Sequence, residues 1–537
     1  MGQFAQLKSI GTAECRKFSS RIFSRHSNID KYLKTQYIKT ARNQGHEKAN
    51  IDLSFYDQQL IAMGTAFSAS MDDQEIIDLA SIRAKQVEGL YMYLVKDGDI
   101  LEASERVCEF VEANGVDYPL SISKKDDSAK ISKKCLSAML RVSDAKWWRR
   151  RLRVGYGRQV ESVVRRAGFV KKESSPYLSN WSFKRWQISQ KRNQSTLSRL
   201  EAVNEDGDAV ALLDCIEGSI TNPVNRRNEL MTRMRGFEEI ATGLGLVGLF
   251  FTLTTPGKFH ANLARGGKNS NFNGATPREA MDYLNGVWSR IRADWARKSI
   301  KAFGFRVCEP HHDGTPHFHF LLFVHADEQK TACDVFGRHA LAVDGDEKGA
   351  IDNRWDVKVI RAEFGTAAGY IAKYVSKNID GFGVDIDDEG DCFGNEGAAR
   401  TRAWSSLWGI RQFQQIGAVS VTVWRELRRQ REVFSDLIPR EVEAIRLAAD
   451  SGDWAAFVDL MGGAFVSRKD MTLRPLYLDN ELSCGRYGDD LKKLIGVWLR
   501  PVAKAIARCV VPTRHHVWSI REISEGAELS FVDPPLF

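Results

Sequence analysis

No stretch of the 537-residue chain approaches the run of about eighteen apolar residues that a membrane span needs, and Met1 to Ile10 holds no apolar signal-peptide core. A cytosolic protein is expected. Cys-x-x-Cys pairs are also missing. The nine cysteines are scattered and odd in number, which argues against a disulfide framework or a zinc ribbon and for reduced thiols. No Gly-x-x-x-x-Gly-Lys-Ser/Thr loop occurs, so a built-in helicase motor is not expected. The acidic run Asp385 to Asp391 lacks the spaced ligands and closing glutamate of a calcium loop and reads as a solvated linker.

The net charge of +8 is small for this length, but it is unevenly placed. Residues 141–200 hold sixteen Lys and Arg against three acids, so the rest of the chain is net acidic. The densest part contains Lys146, Trp147, Trp148, Arg149, Arg150, Arg151 and Arg153. Cations neutralise phosphates and aromatic faces stack unpaired bases, so this cluster is a candidate DNA-binding surface, with core packing as the competing reading of the tryptophans. Residues 1 to about 135 show helical spacing, as in Asp73 to Val95, without candidate site residues.

The pattern changes near Gly243. Leu246 to Thr254 is short and rich in strand formers, and Pro256-Gly257 ends it. After a polar loop, Thr276-Pro277 is a helix start, and Leu284, Val287, Trp288, Ile291 and Trp295 form the apolar stripe. Next come two strands, Phe303 to Glu309 and His317 to Val324, joined through Asp313-Gly314 between prolines. Helices near Ala326 to Leu341 and Thr366 to Lys377 flank a strand near Arg354 to Ile360. The order β-α-β-β-α-β-α predicts an α+β fold, an antiparallel sheet with helices on one face, close to the split βαβ pattern.

Side chains alternate along a strand, so His317 and His319 share one face while Phe318, Phe320 and Leu322 take the other. The turn brings Glu309 across from the two histidines. Two imidazoles and a carboxylate on one face suit an open divalent-metal site, the alternative being an ordinary strand face. On the last helix Tyr370 and Tyr374 lie one turn apart, with Lys373 and Lys377 beside them at the same interval. A phenol is a weak nucleophile near pKa 10 and needs a polarised target and a nearby cation.

The His317-Phe318-His319 strand and the Tyr370-x-x-x-Tyr374 helix resemble the HUH endonucleases, rolling-circle replication initiators that cut one DNA strand through a phosphotyrosine. The tyrosine pair, the Trp404 to Phe413 segment and the basic Trp147-Trp148-Arg149 region are most similar to the bacteriophage replication gene A proteins. Phe251 to Thr254 resembles the first motif strand. The resemblance implies a central HUH nuclease domain with a ferredoxin-like sheet, His317, His319 and Glu309 as ligands of Mg²⁺ or Mn²⁺, Tyr370 and Tyr374 as nucleophiles, and Lys373 or Lys377 near the phosphate. His311 and His312 are read as turn residues, the alternative being that one of them serves as the third metal ligand. It also implies single-stranded or melted origin DNA as substrate, a 5′-phosphotyrosine and free 3′-hydroxyl as products, host helicase and polymerase as partners, and the host bacterial cytoplasm as location.

The expected organisation is a helical region 1–140, a basic aromatic-rich region 141–240, the nuclease domain 241–384, a linker and Trp-rich segment 385–439, and a helical region 440–537. Two rival functions use the same residues: a hydrolase that activates water at the metal, and an origin-binding protein without nicking activity. A histidine-triad hydrolase is disfavoured because its third alternating position is Leu321.

Overall fold

The computed structural model describes residues 4–61, 73–95, 99–263, 267–360, 366–430, 438–500 and 509–523. Two compact units divide the chain: residues 1–169 with 479–493, and residues 170–478 with 494–537. No helix among the described residues is long and apolar enough to cross a membrane.

The first unit is built mainly of helices, including Ala13–Arg25, Asp30–Gln44, Asp73–Val95 and α1 (Ala145–Arg166). Asp144 caps α1 by accepting from the Lys146 N–H. The basic segment 145–166 lies in the same compact unit as the N-terminal helices. Trp147 and Trp148 are core: they are 7% and 0% exposed, pack edge to face at 5.3 Å, and the Trp148 indole donates to Val142 O. Neither ring face is free to stack on a base, which corrects their assignment as DNA contacts. Arg153 is bound through two nitrogens to Asp73, at 2.8 and 2.7 Å. Lys146, Arg150 and Arg151 remain exposed and Arg149 is half-buried.

The second unit centres on five antiparallel strands: β1 (Val247–Leu253), β2 (Phe303–Pro310), β3 (Pro316–Val324), β4 (Trp355–Ile360) and β5 (Phe413–Ile416), in spatial order β4-β1-β3-β2-β5. Helix α2 (Pro223–Gly243) precedes the sheet. Between its strands come α3 (Pro277–Arg297), α4 (Gln329–Ala340), α5 (Ala367–Ile379) and α6 (Gly394–Trp408). α3 opens with the expected start: Thr276 and Glu279 form a reciprocal capping box ahead of Pro277.

Both faces of the sheet are covered, where helices on one face only were expected. Phe250, Phe303, Phe305, Leu321 and Phe323 pack with α2, α5 and the helices Arg440–Asp450 and Trp454–Leu460. Leu249, Phe251, Phe318, Phe320 and Leu322 pack with α3, α4 and α6. The strands are apolar on alternate positions in both directions, and such a sheet must be sandwiched. Every residue of β2 and β3 is buried.

Two further expectations are corrected. Asp385 to Asp391 is no solvated linker, because Ile386–Asp387 pairs with Cys392–Phe393 as a small hairpin and Asp387 is 2% exposed. The C-terminal region is not mainly helical: after Trp454–Leu460 the chain forms strands Leu473–Cys484, Asp490–Leu499, Val510–Pro512 and Ser519–Glu522. Within the region expected to be helical, Asp490–Leu499 is a strand, and 501–508 lie outside the described residues. Ile495, Val497 and Trp498 favour extended backbone, and a Cβ at Gly496 would sit 2.2 Å from Val511 O, so glycine permits the pairing with Val510–Pro512.

Candidate metal and tyrosine site

The β2–β3 turn fixes the site. Asp313, fully buried, accepts from the Thr315 N–H at 3.0 Å and the Ala261 N–H at 2.7 Å. Gly314 has φ +80°, and a Cβ there would meet Tyr177 O at 2.7 Å, so both conformation and space demand glycine. Trp404 of α6 donates its indole N–H to Gly314 O at 2.9 Å. With the turn held, Glu309 is the direct cross-strand partner of His317, and Val307 of His319.

Glu309, His317 and His319 are 2%, 6% and 6% exposed and converge on one point. Glu309 Oε2 lies 3.8 and 3.7 Å from the two Nε2 atoms, which are 2.9 Å apart. Burial first, then the charges of His311 and His319, lower the His317 pKa well below its ordinary value, so its ring is neutral, the form that ligates metal. Burial opposes ionisation of Glu309, but Lys377, His319 and Asn378 outweigh it and hold the carboxyl below its usual range. His319 Nδ1 is hydrogen-bonded with Thr252 Oγ1 at 3.1 Å, which leaves Nε2 to face Glu309. His317 Nδ1 is buried without a partner. Three convergent donor atoms, two imidazole nitrogens and a carboxylate oxygen, fit a divalent cation.

Helix α5 lies over this face, capped by Thr366 on the Gly369 N–H and by Glu238 on the N–H groups of Ala367 and Ala368. The spacing puts Tyr370, Tyr374, Lys377 and Asn378 toward the sheet. The Tyr374 ring is 4.2 Å from His319, and Phe250 lies between the phenols, 4.9 Å from Tyr370 and 5.3 Å from Tyr374. Burial, then Glu309 and Tyr370, push the Tyr374 phenol up to about 12, with Lys377 acting the other way. Tyr370 is the more open of the two at 38% exposed.

The two lysines differ. Lys377 is largely buried, 3.8 Å from Glu309 and 3.2 Å from Asp387. Burial disfavours its charge, yet the two carboxylates raise its pKa. Lys373 stands at the surface, 3.5 Å from the exposed Asp388.

Sequence reasoning missed several supporting residues. Lys358, on β4, lies 6.0 Å from the Tyr370 ring centre and has its pKa raised by hydrogen bonding to that phenol. Asn378 donates to Glu309 and is itself contacted by Gln412 at 3.3 Å. Asp387 accepts from the buried Tyr177 hydroxyl at 2.5 Å. Glu389 lies 3.6 and 3.5 Å from Nδ1 of His311 and His312, and its pKa is strongly lowered by them against the opposing effect of burial. Only the i, i+4 spacing of Tyr374 and Asn378 was available as a signal. The basic residues 146–153 belong to the other compact unit.

Residues 70–382 match the family model described as Bacteriophage replication gene A protein (GPA). The "Replication protein" of Haemophilus phage HP1 is 39% identical over 72% of this chain and 49% of its own length. The "Replication gene A protein" of Escherichia phage 186 is 40% identical, covering 67% and 53%. A "Probable replication endonuclease from prophage-like region" of Salmonella paratyphi A is 33% identical, covering 68% and 47%. The chain thus spans about half the length of these relatives. No solved structure matches it. On the family match over more than half of its residues, this chain belongs to the bacteriophage replication gene A protein family.

Proposed function

We propose that this protein is a site-specific single-strand DNA endonuclease and strand transferase of the HUH type, initiating rolling-circle replication of phage DNA. The observation that carries the reading is the tyrosine helix laid over the Glu309–His317–His319 face, with Tyr374 4.2 Å from His319. The strand order β4-β1-β3-β2 with two crossover helices supports the ferredoxin-like nuclease fold. Relatives named replication endonuclease support the reaction class.

Held by Glu309, His317 and His319, Mg²⁺ or Mn²⁺ would polarise a non-bridging oxygen of the scissile phosphate. Tyr370 or Tyr374 attacks phosphorus. The bond from phenolic oxygen to phosphorus forms as the bond to the 3′-oxygen breaks, giving a 5′-phosphotyrosine and a 3′-hydroxyl. The ester keeps the bond energy, so no ATP is consumed. Lys358 sets a cation beside the Tyr370 phenol, and Lys377 offsets the cost of ionising Tyr374 while neutralising Glu309. The second tyrosine cuts the regenerated origin, and the freed 3′-hydroxyl attacks the first ester to close a circle. A host polymerase extends the 3′ end behind a host helicase. The exposed Lys146, Arg150 and Arg151 hold flanking phosphates.

The test uses single-stranded oligonucleotides tiled across the replicon that encodes the protein, incubated with Mn²⁺. A covalent protein–DNA adduct surviving denaturation is expected from the parent chain and none from the Tyr370→Phe/Tyr374→Phe variant. Cleavage by that variant without an adduct would support the water-activating hydrolase instead.

A further inference from the structure

The turn that sets Glu309 opposite the histidines also walls a second concavity, a cavity of about 670 Å³ that the strand-transfer chemistry does not use. Small-ligand sites have this size. His311 is the partition between the two. Its ring stacks on His317 at 4.0 Å with 26° between planes, and its centre is 5.1 Å from that of His260 across the cavity wall. A nucleotide chain whose phosphate lies at His317 is one ring's thickness from this space.

The lining sorts by charge. Lys172 and Lys348 are exposed, while the carboxylates of Glu347 and Glu389 are about two-thirds covered. Glu389 accepts from the His312 N–H at 2.9 Å and faces both imidazoles; Glu347 accepts from the Gly257 N–H at 3.0 Å and meets Arg354 at 3.2 Å. Asn262 and Asn269 donate their amide hydrogens to Val170, Gly257 and His260 carbonyls, and so build the wall. Arg354 also lines the cavity, but its guanidinium is engaged by Glu347 and by the Val343 and Asp344 carbonyls, so the interior offers carboxylate oxygens as acceptors and suits a phosphate poorly. A nucleobase is neutral, stacks on imidazole faces, and can give exocyclic amino hydrogens to a carboxylate, leaving the lysines to the adjoining backbone phosphate.

We propose that this cavity receives one unstacked base of single-stranded DNA, from the nucleotide neighbouring the phosphate held at Glu309, His317 and His319, and selects a base with an exocyclic amino group over thymine. The inference deepens the strand-transfer reading and rests on it. The probe is a pool of single-stranded DNA randomised at every position. It is bound in Mn²⁺ by the Tyr370→Phe/Tyr374→Phe chain and sequenced after selection. One position should disfavour thymine about tenfold, the low end of what one good base contact discriminates. Adding Asn271→Trp, an exposed lining residue enlarged to fill the cavity, should erase the preference at that position and spare the others. Adding Glu389→Gln, which replaces an acceptor by an amide that also donates, should readmit thymine there. A pool without such a position, an equal loss at all positions with Asn271→Trp, or no retained sequence would overturn the proposal. Because the selection reads binding by a chain that cannot form the ester, a base preference with no adduct from the parent would refute the transfer reaction alone.

Discussion

Replacing Lys377 by methionine removes the cation that contacts both Glu309 and Asp387, whose side chains are 2% and 1% exposed. At an effective dielectric constant of about 20, the attractions at 3.8 and 3.2 Å amount to roughly 4 and 5 kcal/mol before desolvation is counted. Burying the ammonium, whose side chain is 14% exposed, offsets much of that, but methionine leaves both carboxylates without it. Breaking a buried pair by deleting one partner costs about 3–5 kcal/mol. The loss should appear locally, as faster exchange of the β2 and β3 amides, residues 303–324, by roughly two to four orders of magnitude. The second variant, Lys377→Met with Asp387→Asn, removes one uncompensated charge and keeps an acceptor for Tyr177, so it should recover about half of the lost protection in logarithmic terms. Exchange within threefold of the parent in Lys377→Met would refute the view that this lysine neutralises the buried carboxylates.

His26 is buried, with Nε2 2.6 Å from Asp57 and Nδ1 without a partner, and burial lowers its pKa more than Asp57 raises it. The unfolded chain thus binds this proton more readily, so stability is lost as pH falls from about 6.5, and the first unit should melt lower at pH 5.5 than at pH 7.5 by a margin that His26→Gln shrinks. Arg150→Ala with Arg151→Ala should weaken single-stranded DNA binding and reduce its salt dependence without moving the melting temperature, whereas Trp148→Ala should destabilise the first unit by about 3–5 kcal/mol. Mn²⁺ at about 100 times its dissociation constant should stabilise the second unit by about 2.7 kcal/mol in thermal melts, an effect lost on chelation and in His317→Ala/His319→Ala.

What the sequence discloses here is local. The two-residue period of β3 and the prolines around the turn are short-range patterns that set Glu309, His317 and His319 on one strand face, and the four-residue interval sets Tyr370 and Tyr374 on one helix face; that the two faces meet is implied by the family resemblance and depends on long-range packing through Phe250 and His319. Lys358 and Thr252 join that face only through strand pairing across more than sixty residues of chain, which no local pattern encodes. Asp387 and Glu389 read as solvated because acidic runs usually are; their burial depends on Tyr177, Lys377, His311 and His312 from distant segments. Trp147 and Trp148 sit in a basic run that suits DNA, yet their burial is decided by neighbouring helices. In the same way, the helices covering the second sheet face come partly from residues after 440.

The most direct test of the central claim is mass spectrometry of the tryptic peptides carrying Tyr370 and Tyr374 after reaction with cleavable single-stranded DNA and Mn²⁺ and digestion of the attached DNA. A nucleotide joined through its 5′-phosphate to one of these phenols is expected, with a free 3′-hydroxyl on the released strand. Cleaved DNA with both tyrosines unmodified, or an ester on any other residue, would contradict the claim.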